Sequence, residues 1–123
     1  MIELDKLLKH ASKVGASDIH LKVGNHPHLR VEGRLLPLRN LEPLRPEDTV
    51  GVIDRLLHNR QKKRLEEESE LDLSFGIAGI GRYRVAIFQQ RGVYSLALRY
   101  IPNQVPALEE LNLPPVVKEI ADG

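Results

Sequence analysis

The residues in this sequence best suited to chemistry are two arginines, Arg84 and Arg99, in the stretch from Ile80 to Pro102. Two runs rich in β-branched and aromatic residues flank Gln90-Arg91-Gly92, and glycine supplies the positive φ that a tight hairpin turn requires. With Arg91-Gly92 as a two-residue loop, Gln90 falls opposite Val93, Phe88 opposite Ser95, Ala86 opposite Ala97 and Arg84 opposite Arg99. The intervening pairs, Ile87 with Leu96, Val85 with Leu98 and Tyr83 with Tyr100, share the other face, which is apolar, because side chains alternate along a strand. Like charges directly opposite one another destabilise a sheet. Either both side chains splay into water, or they share an anion such as a phosphate, which suits the planar donor fork of a guanidinium. Both readings stand on these residues alone. A three-residue loop would shift the register by one and part the pair across the two faces.

The other chemical candidates are weaker. His26 and His28 flank a proline and His20 lies nearby, but a metal centre needs a third ligand of fixed geometry, and none is expected. Asp18 and His20 point the same way on one strand, as a base and its orienter would, yet no nucleophile accompanies them; a hydrogen-bonded strand-edge pair accounts for both. The glycine-rich link Gly76 to Gly81 lacks the following helix and the Gly-Lys-Ser/Thr end of a phosphate loop, so it reads as a β-turn. The basic run Arg60-Gln61-Lys62-Lys63-Arg64 is followed by Glu66-Glu67-Glu68. It reads as a solvated helical face with Lys62–Glu66 and Lys63–Glu67 paired one turn apart, rather than an anion or membrane patch.

The elements that must position these residues follow from apolar spacing. Residues 2 to 14 form an amphipathic helix with Leu4, Leu7, Leu8, Ala11 and Val14 on one face and Gly15 as its stop. Ser17 to Val23 is a strand with Ile19, Leu21 and Val23 inward. Gly24-Asn25-His26-Pro27 is a turn, His28 to Glu32 a second strand, and Leu35 to Leu38 a third. Pro46-Glu47-Asp48 opens a second helix, with Val50, Ile53, Leu56 and Leu57 as its buried stripe. Leu71 to Phe75 alternates as a strand before the hairpin. Helix, three strands, helix, three strands predicts an α+β two-layer domain, mostly antiparallel, with helices packed on one side. After Pro102 the composition changes: Asn103 to Pro106 is a linker, Leu108, Leu111 and Leu113 are apolar anchors without a local partner, and Val116 to Ala121 begins a short helix. The sequence therefore reads as a piece of a longer chain.

With 123 residues, 41% hydrophobic and 28% charged, the chain suits a soluble domain with a real core. A net charge of +1 and 4% aromatic residues give no footing for nucleic acid, which wants basic fields and stacking platforms. No cysteine is present, so disulfides and thiolate sites are excluded. There is neither a signal-peptide core nor an apolar run long enough to span a membrane, and the expected compartment is the cytoplasm.

Taken in order, the motifs Gly15-Ala16-Ser17-Asp18-Ile19-His20-Leu21, Leu29-Arg30-Val31-Glu32-Gly33-Arg34-Leu35, Glu70-Leu71-Asp72-Leu73-Ser74-Phe75, Gly81-Arg82-Tyr83-Arg84-Val85, Arg99-Tyr100-Ile101-Pro102 and Leu108-Glu109-Glu110-Leu111-Asn112-Leu113-Pro114 resemble the N-terminal domain of the PilT family. These are the type IV pilus retraction (twitching motility) ATPases of the secretion ATPase superfamily. The resemblance implies a PAS-like N-terminal domain over residues 1–102. Residues 103–123 would be an interdomain linker and the start of a RecA-like ATPase domain. It implies a homo-hexamer in which this domain packs on the ATPase domains of its own and the neighbouring subunit, with ATP and Mg bound in the parent protein and no cofactor held tightly by this piece. By motif position Arg84 and Arg99 are the arginines that reach the nucleotide phosphates, and Pro102, Leu108, Leu111 and Pro114 belong to the hinge. The implied setting is cytoplasmic, peripheral to the inner membrane at the pilus base, with the pilus inner-membrane machinery as partner and no nucleic acid. The alternatives are the same domain of a pilus-assembly or type II secretion ATPase, which usually carries an extra domain ahead of it, and a free-standing PAS-like binding module, which would need a ligand pocket inside the sheet.

Overall fold

The computed structural model describes residues 3–102. Its elements run α1 (Leu4–Lys13), β1 (Asp18–Lys22), β2 (His28–Val31), β3 (Arg34–Pro37), α2 (Pro46–Leu56), α3 (Asn59–Glu68), β4 (Glu70–Ile77), β5 (Gly81–Gln90) and β6 (Val93–Ile101). The six strands form one sheet in the order β3-β2-β1-β6-β5-β4, antiparallel at every pairing. This is the α+β arrangement the sequence predicts. One crossing is not local: β1 inserts between β2 and β6, so residues about eighty positions apart become neighbours.

Alternation makes one sheet face apolar. Ile19, Leu21, Leu29, Leu71, Tyr83, Val85, Ile87, Leu96 and Leu98 are buried there in one cluster with Leu4, Leu7, Leu8 and Ala11 of α1, Val52, Ile53 and Leu57 at α2, and Leu65 of α3. Among the described residues the helices thus cover that face only, and burial of these side chains supplies the main driving force. α1 ends in a Schellman motif. Gly15, at φ +75°, donates to Ser12 O, and Ala16 donates to Ala11 O at 2.9 Å.

The second helix departs from expectation in phase and in length. Val50 is 42% exposed, while Thr49, Val52 and Ile53 are buried and Leu56 is half-buried. The true stripe therefore includes a threonine, whose hydroxyl is satisfied by Pro46 O at 3.1 Å and so buries at little cost. The helix then breaks at Leu57 and restarts as α3, where His58 Nδ1 accepts from the Gln61 amide (3.3 Å) and Gln61 Oε1 accepts from the His58 amide (3.0 Å). This is a reciprocal cap built on histidine. The break also redirects the basic run. Lys62 pairs with Asp54 across it at 2.8 Å and Arg64 with Glu68 at 3.7 Å, in place of the expected Lys62–Glu66 and Lys63–Glu67 pairs.

The hairpin β5–β6 has the predicted register throughout, including Arg84 opposite Arg99. Arg91 and Gly92 form its two-residue loop at φ +56° and +82°, the paired positive values of a type I′ turn. The glycine-rich link is the β4–β5 turn, closed by Ile80 N–H on Ile77 O at 3.0 Å. Among the described residues no helix is long and apolar enough to cross a membrane.

Candidate functional site

The sheet face without helices carries one continuous row of paired residues: Leu35, Arg30, Asp18, Arg99, Arg84 and Ser74, running across β3, β2, β1, β6, β5 and β4. Three of these are arginines and one is a carboxylate, so the row is net positive. In the next row toward the turn end, His28, His20, Ala97, Ala86 and Asp72 succeed one another. The two alanines leave space directly beside the Arg84–Arg99 pair.

The arginines are not equivalent. Arg99 Nε donates to Asp18 Oδ2 at 3.2 Å. Its side chain is nonetheless 73% exposed, against 12% for that of Asp18. Arg30 Nε stands 4.0 Å from the other carboxylate oxygen, which also accepts from Ser17 Oγ at 2.6 Å. Burial by itself raises the Asp18 pKa; the hydrogen bonds from Ser17 and Arg99, with the charges of Arg99 and His20, outweigh it and hold the carboxyl below its ordinary value of 3.8. Arg84 is exposed and makes no ion pair among the described residues. Its neighbour Ser74 is engaged by Arg82, whose Nη2 donates to Ser74 Oγ at 3.0 Å. The face therefore presents one tethered guanidinium and one untethered one, from residues paired in the register, as donors suited to an oxyanion.

The histidines serve other ends. His26 Nδ1 is hydrogen-bonded to Leu41 O at 2.6 Å and His28 Nδ1 to His26 O at 2.7 Å, which pins both rings to the backbone. His20 stands across from His28, and its Nε2 is buried without a partner among the described residues. Among the described residues no three metal-ligating side chains gather. Among the described residues Asp18 and His20 form neither a base and its orienter nor the expected hydrogen-bonded strand-edge pair: β1 is an interior strand between β2 and β6, and Asp18 bonds Ser17 and Arg99 instead.

Of the residues singled out from sequence, Arg84 and Arg99 are brought together and Pro102 follows the end of β6; Leu108, Leu111 and Pro114 lie outside the described residues. Asp18 as the partner of Arg99, and Arg30 as the third arginine of the row, escaped sequence reasoning. Only the strand order reveals them, and no local signal carries it. Phe75, Tyr83, Tyr94 and Tyr100 sit on the covered face, where Tyr83 stacks with Phe75 at 5.9 Å and tilts against Tyr100 at 5.5 Å, whereas Phe88, opposite Ser95, is exposed on the arginine face.

No protein-family model matches the sequence. The chain is 35% identical over 120 residues to the type IV pilus ATPase PilU of Pseudomonas aeruginosa, covering 98% of this chain and 31% of that protein. It is 36% identical over 121 residues to the type IV pilus retraction ATPase PilT of the same organism, covering 98% and 35%. Among solved structures, a crystal structure of the pilus retraction motor PilT with bound ADP superposes with a TM-score of 0.78 at 36% identity, over 94% of this chain and 34% of that one. The Legionella pneumophila ATPase DotB follows with a TM-score of 0.69 at 28% identity, over 90% and 32%. The chain thus spans about a third of the length of the curated relatives it matches. Sequence and fold agree across nearly every described element: the PilT and PilU type IV pilus ATPases are homologues of this chain, which matches them as an N-terminal domain.

Proposed function

We propose that this chain is the PAS-like N-terminal domain of a type IV pilus motor ATPase of the retraction kind, and that it supplies Arg84 and Arg99 to the phosphates of a nucleotide held by a RecA-like domain. The observation that carries the reading is the pair itself: two arginines directly opposite each other in the strand register on the helix-free face, only one of them paired with a carboxylate, a like-charge placement that a bound anion would stabilise. The solved PilT structure contains ADP, which supports a nucleotide as that anion. ATP with Mg is the expected occupant of the whole protein. Arg84 and Arg99 would donate to phosphoryl oxygens and stabilise the charge that develops as the γ-phosphoryl transfers. The same reading makes the whole protein a ring of six subunits, each N-terminal domain packed on a neighbouring ATPase domain, working in the cytoplasm at the inner-membrane base of a pilus. Residues 103–123 serve as the linker and hinge, including Leu108, Leu111 and Pro114.

The test is ATP hydrolysis by the full-length protein that carries this domain. Arg84→Ala and Arg99→Ala each lower kcat by about tenfold or more, toward the 10³–10⁵ range of a single dominant arginine finger. Wild-type rates in both variants refute the arginine assignment. The 123-residue chain contains no Gly-x-x-x-x-Gly-Lys-Ser/Thr sequence and is expected to show no turnover by itself.

A further inference from the structure

We infer that Asp18 is the positioning residue for Arg99, fixing its guanidinium so that the outer nitrogens stand ready for the shared anion. The inference rests on the phosphate-contacting reading of Arg84 and Arg99 above. It starts from the way the carboxylate is held. Asp18 is buried on the helix-free face, with Oδ1 gripped by Ser17 Oγ at 2.6 Å and facing Arg30 Nε at 4.0 Å. Its remaining oxygen, Oδ2, takes Arg99 through Nε at 3.2 Å. A guanidinium carries five N–H donors, one on Nε and four on the two Nη nitrogens. Tethering by Nε leaves the four outer donors uncommitted, and Arg99 makes no hydrogen bond through them within residues 3–102. Its side chain stays 73% exposed despite the tether.

The tether answers two problems at once. Arg84 stands directly opposite in the register, and Asp18, from the strand on the other side of β6, supplies the counter-charge that two facing arginines lack. A long arginine side chain on a bare sheet face also samples many rotamers, so a donor aimed at a transferring phosphoryl group is effective only if its supporting contacts hold it still. Asp18 does both from a neighbouring strand. It contributes no donor to an anion and, being negative, opposes anion binding. Positioning and electrostatics therefore push in opposite directions, which makes the role measurable.

The experiment is steady-state ATP hydrolysis by the full-length protein for wild type, Asp18→Ala, Asp18→Asn, Arg99→Ala and the Asp18→Ala/Arg99→Ala double variant. Asp18→Ala is expected to lower kcat by about tenfold, short of the ~100-fold that a 1 Å misplacement can cost, while KM for ATP falls because a negative charge has left the site. A general loss of structure would not lower KM. Asp18→Asn retains an oxygen that accepts from Arg99 Nε and recovers part of the lost kcat. In the double variant the Asp18 substitution adds no further loss of kcat to Arg99→Ala, since that loss acts through the Arg99 side chain. If Arg99→Ala turns over at the wild-type rate, the phosphate-contacting reading fails and this inference with it. If Arg99→Ala is impaired but Asp18→Ala is not, or if the two losses multiply, the positioning role is overturned while the arginine reading stands. Should Asp18→Ala not fold, the decision passes to Asp18→Asn in the 123-residue chain: the Arg99 Nε–H resonance must shift and broaden relative to wild type, and an unchanged resonance rejects the tether.

Discussion

Gly81 opens β5 at φ +134°, a conformation that residues with a Cβ rarely adopt, and the space a Cβ would need is already taken. In Gly81→Ala the new methyl would lie 2.9 Å from Tyr100 Cε1 and 3.1 Å from the Tyr100 hydroxyl. Tyr100 cannot retreat freely, because its hydroxyl donates to Ile80 O at 2.9 Å and its ring leans on the buried Tyr83 at 5.5 Å. The backbone strain is worth about 1–3 kcal/mol. Displacing the ring forfeits a hydrogen bond worth about 1 kcal/mol more. The expected loss is therefore about 3 kcal/mol, which in a domain of this size lowers Tm by roughly 12–24 °C. Urea unfolding of the 123-residue chain measures it. Gly24→Ala is the control: φ there is +92° with nothing within 4 Å of the added Cβ, so only the backbone cost remains. If Gly81→Ala costs no more than Gly24→Ala, the close approach of Tyr100 has no energetic weight, and the account of how the end of β6 is held is wrong.

Three further outcomes are expected of the same chain. The folded-state pKa of Asp18 is depressed, so the unfolded chain takes up the proton first on acidification; the stability Asp18 contributes is full above its ordinary value of 3.8 and is lost as pH falls through the lower folded value. Asp18→Asn should flatten stability against pH in that acid window, and an unchanged acid limb would contradict the pairing with Arg99 and Ser17. Tyr83 buries its hydroxyl without a partner among the described residues, and burial, then Tyr100, raises its pKa. Tyr83→Phe should thus be neutral or stabilise by up to about 1 kcal/mol in urea melts, and a loss of that size would mean that the hydroxyl is satisfied. Arg84→Ala should leave stability within about 0.5 kcal/mol, whereas Arg99→Ala should cost about 1 kcal/mol because it strips the buried Asp18 carboxylate of a hydrogen-bond partner. Equal costs for the two arginines would argue against the asymmetry between them.

The hairpin was legible because its signals are local. Arg91-Gly92 can adopt the positive φ values of its turn, and alternation then assigns every pair from Gln90–Val93 outward, Arg84–Arg99 among them. Helix α1 was legible for the same reason, with leucines at helical spacing and a glycine at its end. The division of α2 from α3 was not, because no proline or glycine marks it; the chain turns at Leu57 and His58 takes the capping role usually given to serine or aspartate. The phase of α2 was misjudged because Thr49 is polar by type yet buried by virtue of its hydrogen bond to Pro46 O, while the apolar Val50 faces out. The destination of Asp18 was hidden by topology. Within its own segment it sits two residues from His20, and nothing local shows that Arg99 lies beside it on one strand and Arg30 on the other. Half of the arginine site is thus written in a hairpin, and the other half in a strand order that only the folded chain displays.

The central claim is that the paired arginines meet nucleotide phosphates, and the most direct measurement is a crystal structure of the full-length protein with a non-hydrolysable ATP analogue bound. The account predicts terminal nitrogens of both Arg84 and Arg99 at about 3 Å from phosphate oxygens, within hydrogen-bond reach, with Arg99 Nε still on the Asp18 carboxylate. Both guanidiniums standing beyond about 6 Å from every phosphate, directed into solvent, would contradict it and return the pair to two surface charges that splay into water.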